Sequence, residues 1–490
     1  MVRKNKIIWL VILLVGVAIL RIPSLFYPYS YGDQGIYLTL GQALRQGLVL
    51  YKDIHDNKPP LLYLLAGLSG SLFWFQALLL VWSLGTIIVF WKLAKHLFQD
   101  QPRPIILSTI FFSFLTTWPR LEAEIANAEI FMILPIVAGF LLLLCGKKWE
   151  KLRFFSAGIL FSLAVLFKVP AGFDFAAAGL FLLLNFFSQK QKPFSLLISH
   201  FSILILGFLL PISMTAIYFA SQGAFFQFIS AGFLQNIGYL SSWQGKTQGT
   251  MVNLGFLLRF FSLLILIFLF WLLRRKFSKT LLLLGLWLIF SLFGATLSER
   301  PYPHYLLQVV PSASLLVGLL LVKIKRLEKI VILLLLALIF IVYAYFKFWG
   351  YPTISYYQNF LGWAFRQKTT EAYLKDFNPN LPRNQKLASF LNSHTLPQDR
   401  IFIWGEDAPC VYALSRRLPP GRFTANYHIK DFNGYQETIK AIEEKGARFI
   451  IILDDKDDFP ELGLLVSREY HLFKSLDGAL IFFRKSFKMI

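Results

Sequence analysis

Apolar residues in this chain fall into long unbroken runs separated by short polar connections, a pattern that holds to about residue 348 and then gives way to shorter segments. A bilayer core of about 30 Å needs roughly 20 apolar residues per helix. Such runs lie at approximately 7–25, 73–95, 104–118, 128–145, 154–168, 171–187, 195–220, 254–273, 280–298, 305–322 and 330–348. They predict about eleven transmembrane helices. One further apolar stretch opens on the pair Pro59-Pro60 and runs for about 13 residues before the aromatic cluster Phe73 to Phe75. Too short to cross, it predicts an interfacial or re-entrant helix.

Beyond residue 348 the periodicity changes. Residues 349–384 predict a linker with a helix in it, and 385–490 a small α/β domain. In the latter, "NQKLASFLNSH", "DAPCVYALS" and "YQETIKAIEEKGA" carry a helical period, whereas "RIFIWG" and "RFIIILDD" read as strands. A hairpin is expected at Asp477-Gly478. No internal repeat or low-complexity segment interrupts this order.

Composition agrees with a membrane protein: 56% of the 490 residues are hydrophobic and 16% charged, where a soluble domain carries about 25% charged residues. The positive charges have a place in that scheme. Arg3/Lys4/Lys6, Lys92/Lys95/Arg103, Lys147/Lys148/Lys151/Arg153, Lys190/Lys192, Arg274/Arg275/Lys276/Lys279 and Lys323/Lys325/Arg326/Lys329 occupy every second connection. By the positive-inside rule the amino terminus is cytoplasmic and, after an odd number of spans, the carboxyl terminus lies outside. The net charge of +22 is then explained by helix ends that meet anionic lipid, and nucleic-acid binding is not expected. The opening "VRKNK" and its apolar run mimic a signal peptide, but no small-residue cleavage site follows, so a retained span is expected. Cys145 and Cys410 fall on opposite sides and predict free thiols.

On this topology the residues with chemical potential gather on the outer side. Asp33, Asp53, His55, Asp56 and Lys58 lie in the first outer loop; Arg120, Glu122, Glu124 and Glu129 in or beside the second; Lys168 and Asp174 flank the third; Glu299, Arg300 and His304 fill the fifth. A charge near the hydrocarbon costs about 2.5–3.5 kcal/mol on insertion scales, so such residues pair or line a wet cavity. Ordinary loop polarity explains Asp53, Asp56, Glu122 and Asp174 taken singly equally well. Lys58 is harder to dismiss, because "NKPPLLYLL" sets an ammonium directly before the short apolar helix.

The acid in "YGDQGIY", followed about 25 residues later by "HDNKPPLLYLL", closely resembles the polyprenyl-phosphate-sugar-dependent glycosyltransferases of the GT-C superfamily. Relatives there include the dolichyl-phosphate-mannose protein mannosyltransferases and the bacterial aminoarabinose transferases to lipid A. "ERPYPHYLLQVVPSASLL" resembles the late "HYxLQxxP" segment of bacterial members, and "IFIWGEDAPCVYALSRRLPPGRF" the start of their outer soluble domain. The resemblance implies a polytopic α-helical membrane protein of about eleven transmembrane helices, N-in and C-out, GT-C-like, with a small α/β domain on the outer side. Residues 1–348 would be the transmembrane catalytic domain, with the first outer loop at about 26–72. It implies Asp33 as general base, Lys58 at the donor phosphate, and Arg300 and His304 as a late polar pair with it. A second acid would come from Glu122, Glu124 or Glu129, among which the sequence does not choose.

The chemistry asks for such groups independently of the resemblance. Transfer from a polyprenyl-phosphate sugar passes through an oxocarbenium-like state, needs a base for the acceptor hydroxyl and needs cations for the departing phosphate. One displacement inverts the anomeric centre. The expected partners are the polyprenyl-phosphate sugar, a hydroxyl on protein, lipid or glycan, and membrane lipids, in a bacterial plasma membrane. Asp33, His55 and the acids from Glu122 to Glu129 could ligate a divalent cation such as magnesium or manganese, but tight ligand spacing is absent and His55 reads better as an interfacial histidine. Lys168 in "FKVP" either snorkels or reaches a donor phosphate. Tyr239 and Trp243 read as interfacial anchors before a sugar or polyprenyl cover. In "WGEDAP", helix capping by Glu406 or Asp407 is preferred to a second site. The competing classes are a lipid-linked-sugar transporter or flippase, a glycan polymerase or ligase, and a scaffold. A transporter would place its charges near the midplane, often within internal repeats.

Overall fold

A computed structural model describes residues 2–146, 148–188, 193–238, 254–453 and 459–488. Tyr239, Trp243, Lys147, Lys190, Lys192 and the side chains of Arg3, Lys4 and Lys6 lie outside that description. The chain is mostly helical and divides into two compact units.

The first unit gathers Met1–Ile22, Leu78–Tyr218 and Phe233–Thr353. Each of the eleven apolar runs forms helix, but not eleven full spans. Among the described residues six helices are long and apolar enough to cross a bilayer: Ile8–Leu25, Leu72–Leu97, Val169–Ser188, Phe194–Ser221, Leu254–Leu273 and Arg326–Tyr345. The others are shorter or carry charge. Pro102–Leu115 ends ahead of a Thr-Thr pair and the 3₁₀ turn Pro119–Leu121. Pro303–Gln308 is itself 3₁₀, leaving Val310–Leu319 as a ten-residue helix. Glu150–Phe167 carries Glu150, Lys151 and Arg153 in its first turn. Lys279–Ala295 is buried along almost its whole length, as a helix apolar on every side must be inside a bundle. The peripheral Leu254–Leu273 instead exposes Leu254, Leu258, Phe261, Ile265 and Phe268, a lipid-facing surface in a membrane-embedded protein.

The second unit joins Pro23–Ala77 and Phe219–Gly232 to Ile354–Ile490. Its sheet has four strands, β1 (Arg400–Trp404), β2 (Ala447–Ile452), β3 (Tyr470–Leu476) and β4 (Ala479–Arg484), in the order β1-β2-β4-β3. β1 runs parallel to β2, while β4 is antiparallel to both β2 and β3. Strands buried on both faces need no polar alternation, and β1 shows it: Ile401 and Ile403 face one core with Leu387, Val411 and Tyr412, Phe402 and Trp404 the other with Ile442 and Phe459. The expected β3–β4 hairpin forms, its turn residues Asp477 and Gly478 both at positive φ, 48° and 87°. That is the geometry of a type I′ turn.

Residues 26–72 hold two helices. Gly32–Arg45 packs on a nine-residue helix, Leu61–Ser69, that begins after Pro60 and stops at Gly70. Gly70 sits at φ 72°, where only glycine ends a helix without strain. The two helices touch backbone to backbone: a Cβ on Gly41 would lie 2.8 Å from the Gly67 Cα. This close crossing holds the start of one helix near the residues that lead into the other.

Candidate active site

Asp33 stands in the first turn of Gly32–Arg45, where a carboxylate is favoured by the helix dipole. Lys58 precedes the Pro-Pro pair that opens Leu61–Ser69, and the helix crossing brings the two together: Lys58 Nζ is 3.3 Å from Asp33 Oδ2 and 3.7 Å from Asp56 Oδ2. The Tyr37 hydroxyl donates to Asp33 Oδ2 at 3.0 Å, and its ring lies 5.0 Å from the Lys58 ammonium. Asp33 keeps 34% of its side chain exposed and Lys58 19%, whereas Asp56 keeps 1%. Asp56 is therefore the buried anchor of the group and Asp33 its accessible member. The main chain of Lys58 is fixed as well, its N–H donating to the Tyr63 hydroxyl at 3.2 Å and its carbonyl accepting from Tyr51 at 2.8 Å.

His55 lies apart from this pair in function. Its ring is buried edge-on to Phe423, Phe432 and His428, at 5.5, 4.9 and 5.7 Å between centroids. Burial, then the neighbouring His428, pushes its pKa down to about 3, so it is neutral at physiological pH. Asp53 accepts from the Val49 N–H at 2.8 Å, a local loop cap. Among the described residues no three His, Cys, Asp or Glu side chains converge as metal ligands.

A second polar cluster forms within the first unit. His304 bridges two acids, its Nδ1 pairing with Glu122 and its Nε2 lying 3.4 Å from Glu129. Lys168 pairs with the same Glu129 and caps the Tyr305 ring at 4.1 Å from its centroid. Glu122 takes a left-handed conformation, φ 53°, just after the 3₁₀ turn, which aims its carboxylate at the histidine. Lys168 and Glu129 also line a cavity of about 380 Å³ whose other walls include Phe233, Phe256, Phe260 and Phe293. The lining joins these charged groups to aromatic rings, a mix suited to an amphipathic ligand.

The remaining candidates make the following contacts. Asp174 is fully buried and accepts from Trp287 Nε1 and Gln308 Nε2, both at 2.6 Å, tying three helical segments together. Glu299 pairs with Arg259 at 2.8 Å. Arg300 is half-buried, its N–H donating to Ser298 Oγ at 3.4 Å; Arg120 is exposed against Gly350. Asp407 sits at a helix N-cap but makes no side-chain cap, because it pairs instead with Arg383 at 3.0 Å. Capping through that side chain is thus corrected to an ion pair. Cys145 and Cys410 are free thiols.

Glu124 differs from its neighbours. It is buried in the loop before Ala128–Leu144 and its Oε2 has no hydrogen-bond partner among the described residues. Burial, and then the adjacent Glu122 charge, pushes its pKa up to about 8. The folded state therefore holds a proton that the unfolded chain releases near the usual carboxylate pKa. Stability is lost as pH rises between about 4.5 and about 8. Glu124→Gln is expected to flatten this dependence, raising the melting temperature in detergent more at pH 8 than at pH 5. Equal shifts at both pH values would contradict it.

Tyr37, Tyr63 and His428 were not singled out from sequence. Tyr37 follows Asp33 by one helical turn, a spacing that could have flagged it. Nothing local announces His428.

No protein-family model and no curated protein matches the sequence. Among solved structures, ArnT from Cupriavidus metallidurans bound to undecaprenyl phosphate aligns over 97% of each chain with a TM-score of 0.59 and 13% identity, and its apo form gives the same values. A likeness to the Archaeoglobus fulgidus oligosaccharyltransferase, at a TM-score of 0.45, covers 90% of this chain and 69% of that one and carries no weight beside it. At 13% identity the likeness speaks for the fold alone: the chain has the fold of ArnT, the GT-C-like membrane architecture that its motifs resemble.

Proposed function

We propose that the protein is an integral membrane glycosyltransferase that moves a sugar from a polyprenyl-phosphate donor to an acceptor hydroxyl, with inversion. The observation that carries this reading is the Asp33–Lys58 pair at 3.3 Å, a part-exposed carboxylate beside an ammonium in a chain with the fold of ArnT. The ArnT crystal structure holds undecaprenyl phosphate, the class of lipid that would leave here.

The acceptor oxygen attacks the anomeric carbon as the bond from that carbon to the phosphate oxygen breaks. Asp33, oriented by Tyr37, takes the hydroxyl proton, and polyprenyl phosphate departs as an anion that needs no general acid. Lys58 stabilises that anion. It pairs with Asp33 before donor arrives; phosphate drawing the ammonium away leaves the carboxylate to the acceptor hydroxyl. Arg300 is the further cation assigned to donor phosphate. His304, held between Glu122 and Glu129, fixes the place of the second acids. The aromatic cavity headed by Lys168 suits an isoprenoid chain with a phosphate. Residues 1–348 would supply the transmembrane catalytic part and 349–384 a linker, with the first loop and domain 385–490 on the extracytoplasmic side of a bacterial plasma membrane.

Purified protein given a panel of polyprenyl-monophosphate sugars and a crude membrane acceptor is expected to release polyprenyl phosphate and form an inverted glycosidic linkage. Binding of lipid-linked sugar without release from any donor would favour a transporter instead.

A further inference from the structure

We infer that His428, on the short helix Asn426–Asp431 of the α/β domain, is a positioning residue for Lys58 and acts through the Asp56 carboxylate. The inference rests on the assignment of Lys58 to donor phosphate.

Asp56 and His428 belong to the same compact unit although they lie far apart in the chain. Both side chains are 1% exposed. A carboxylate that deeply buried must be compensated on every side. Asp56 Oδ1 accepts from the Asn57 N–H at 2.8 Å and faces His428 Nε2 at 3.5 Å; Oδ2 accepts from Tyr63 at 2.7 Å and faces Lys58 Nζ at 3.7 Å. Burial lowers the His428 pKa, so the ring faces Asp56 without bringing a charge that would compete with Lys58. Lys58 is held between that carboxylate and Asp33.

Other contacts show that the α/β domain fastens the same loop. The His55 N–H donates to the Arg422 carbonyl at 2.8 Å, and Gln42 Nε2 to the Arg416 carbonyl at 2.5 Å. A Cβ on Gly35 would meet the Pro409 backbone at 2.7 Å, so helix Gly32–Arg45 lies directly on that domain. The domain is thereby part of the device that aims the phosphate anchor, whatever it does for the acceptor.

The test uses the full chain in detergent, with undecaprenyl phosphate as probe and the acylation rate of Lys58 by an amine reagent followed by mass spectrometry. His428→Ala is expected to weaken lipid-phosphate binding about tenfold, the scale of one hydrogen bond to a charged group, and to speed Lys58 acylation. His428→Gln, whose amide can donate to Asp56, is expected to restore both to within about threefold. In a Lys58→Ala background, His428→Ala should add nothing to the binding loss. An equal further loss in that background, no rescue by His428→Gln, or unchanged Lys58 acylation in a folded His428→Ala protein would overturn the inference. If Lys58→Ala binds the probe normally, the phosphate assignment of Lys58 is what fails, and the acylation rate alone then decides the positioning role.

Discussion

Asp33→Asn is expected to slow sugar transfer by about 10²- to 10⁴-fold, the contribution of a positioned general base, while leaving the protein folded and able to bind donor. Asparagine keeps the shape of the side chain, and its carbonyl oxygen can still accept from the Tyr37 hydroxyl. What it loses is proton affinity. The ion pair with Lys58 disappears too, but it joins side chains 34% and 19% exposed, and partly exposed pairs contribute only about 0–1 kcal/mol. Lys58 retains Asp56 at 3.7 Å. The loss should therefore fall on kcat, with donor affinity little changed. Release of polyprenyl phosphate at equal rates by Asp33→Asn and wild type would remove Asp33 from the chemistry. A parallel collapse of donor binding and thermal stability would mean that its role is structural.

How far the sequence foretold this arrangement depends on the range over which each interaction acts. Apolar runs, the strand-rich tail and the Asp477-Gly478 turn are local signals, and each produced its element. Span length was less legible. The 3₁₀ segment Pro303–Gln308 consumes residues that hydropathy alone counts as membrane. The meeting of Asp33 and Lys58 depends on Gly41 and Gly67 letting two helices touch, and a glycine in a helix does not say which partner it admits. The three acids in "RLEAEIANAE" could not be ranked from sequence because their difference lies in distant residues. His304 reaches Glu122 and Glu129, whereas Glu124 Oε2 is left without a hydrogen-bond partner among the described residues. For Lys168, snorkelling and phosphate binding were equally compatible with "FKVP"; the fold adds Glu129 and Tyr305 as its neighbours.

That pairing makes Lys168 open to a decisive experiment. Lys168→Met is expected to destabilise the protein by about 3–5 kcal/mol, the cost of stranding one member of a buried ion pair. Glu129 is 4% exposed and would be left facing His304 Nε2 at 3.4 Å, a histidine already shared with Glu122. Adding Glu129→Leu should recover most of the loss, since an apolar pair of similar volume dispenses with both desolvation penalties. Thermal unfolding in detergent reads both steps, and a single variant as stable as wild type would show that the pair is not energetically buried. The double variant then separates two roles that the single one confounds. It is folded but has no ammonium at the head of the 380 Å³ cavity. If Lys168 touches phosphate, undecaprenyl phosphate binding stays weak in the stable double variant. If the lysine only neutralises Glu129, binding returns together with stability, and Lys168 is removed from recognition of the donor phosphate.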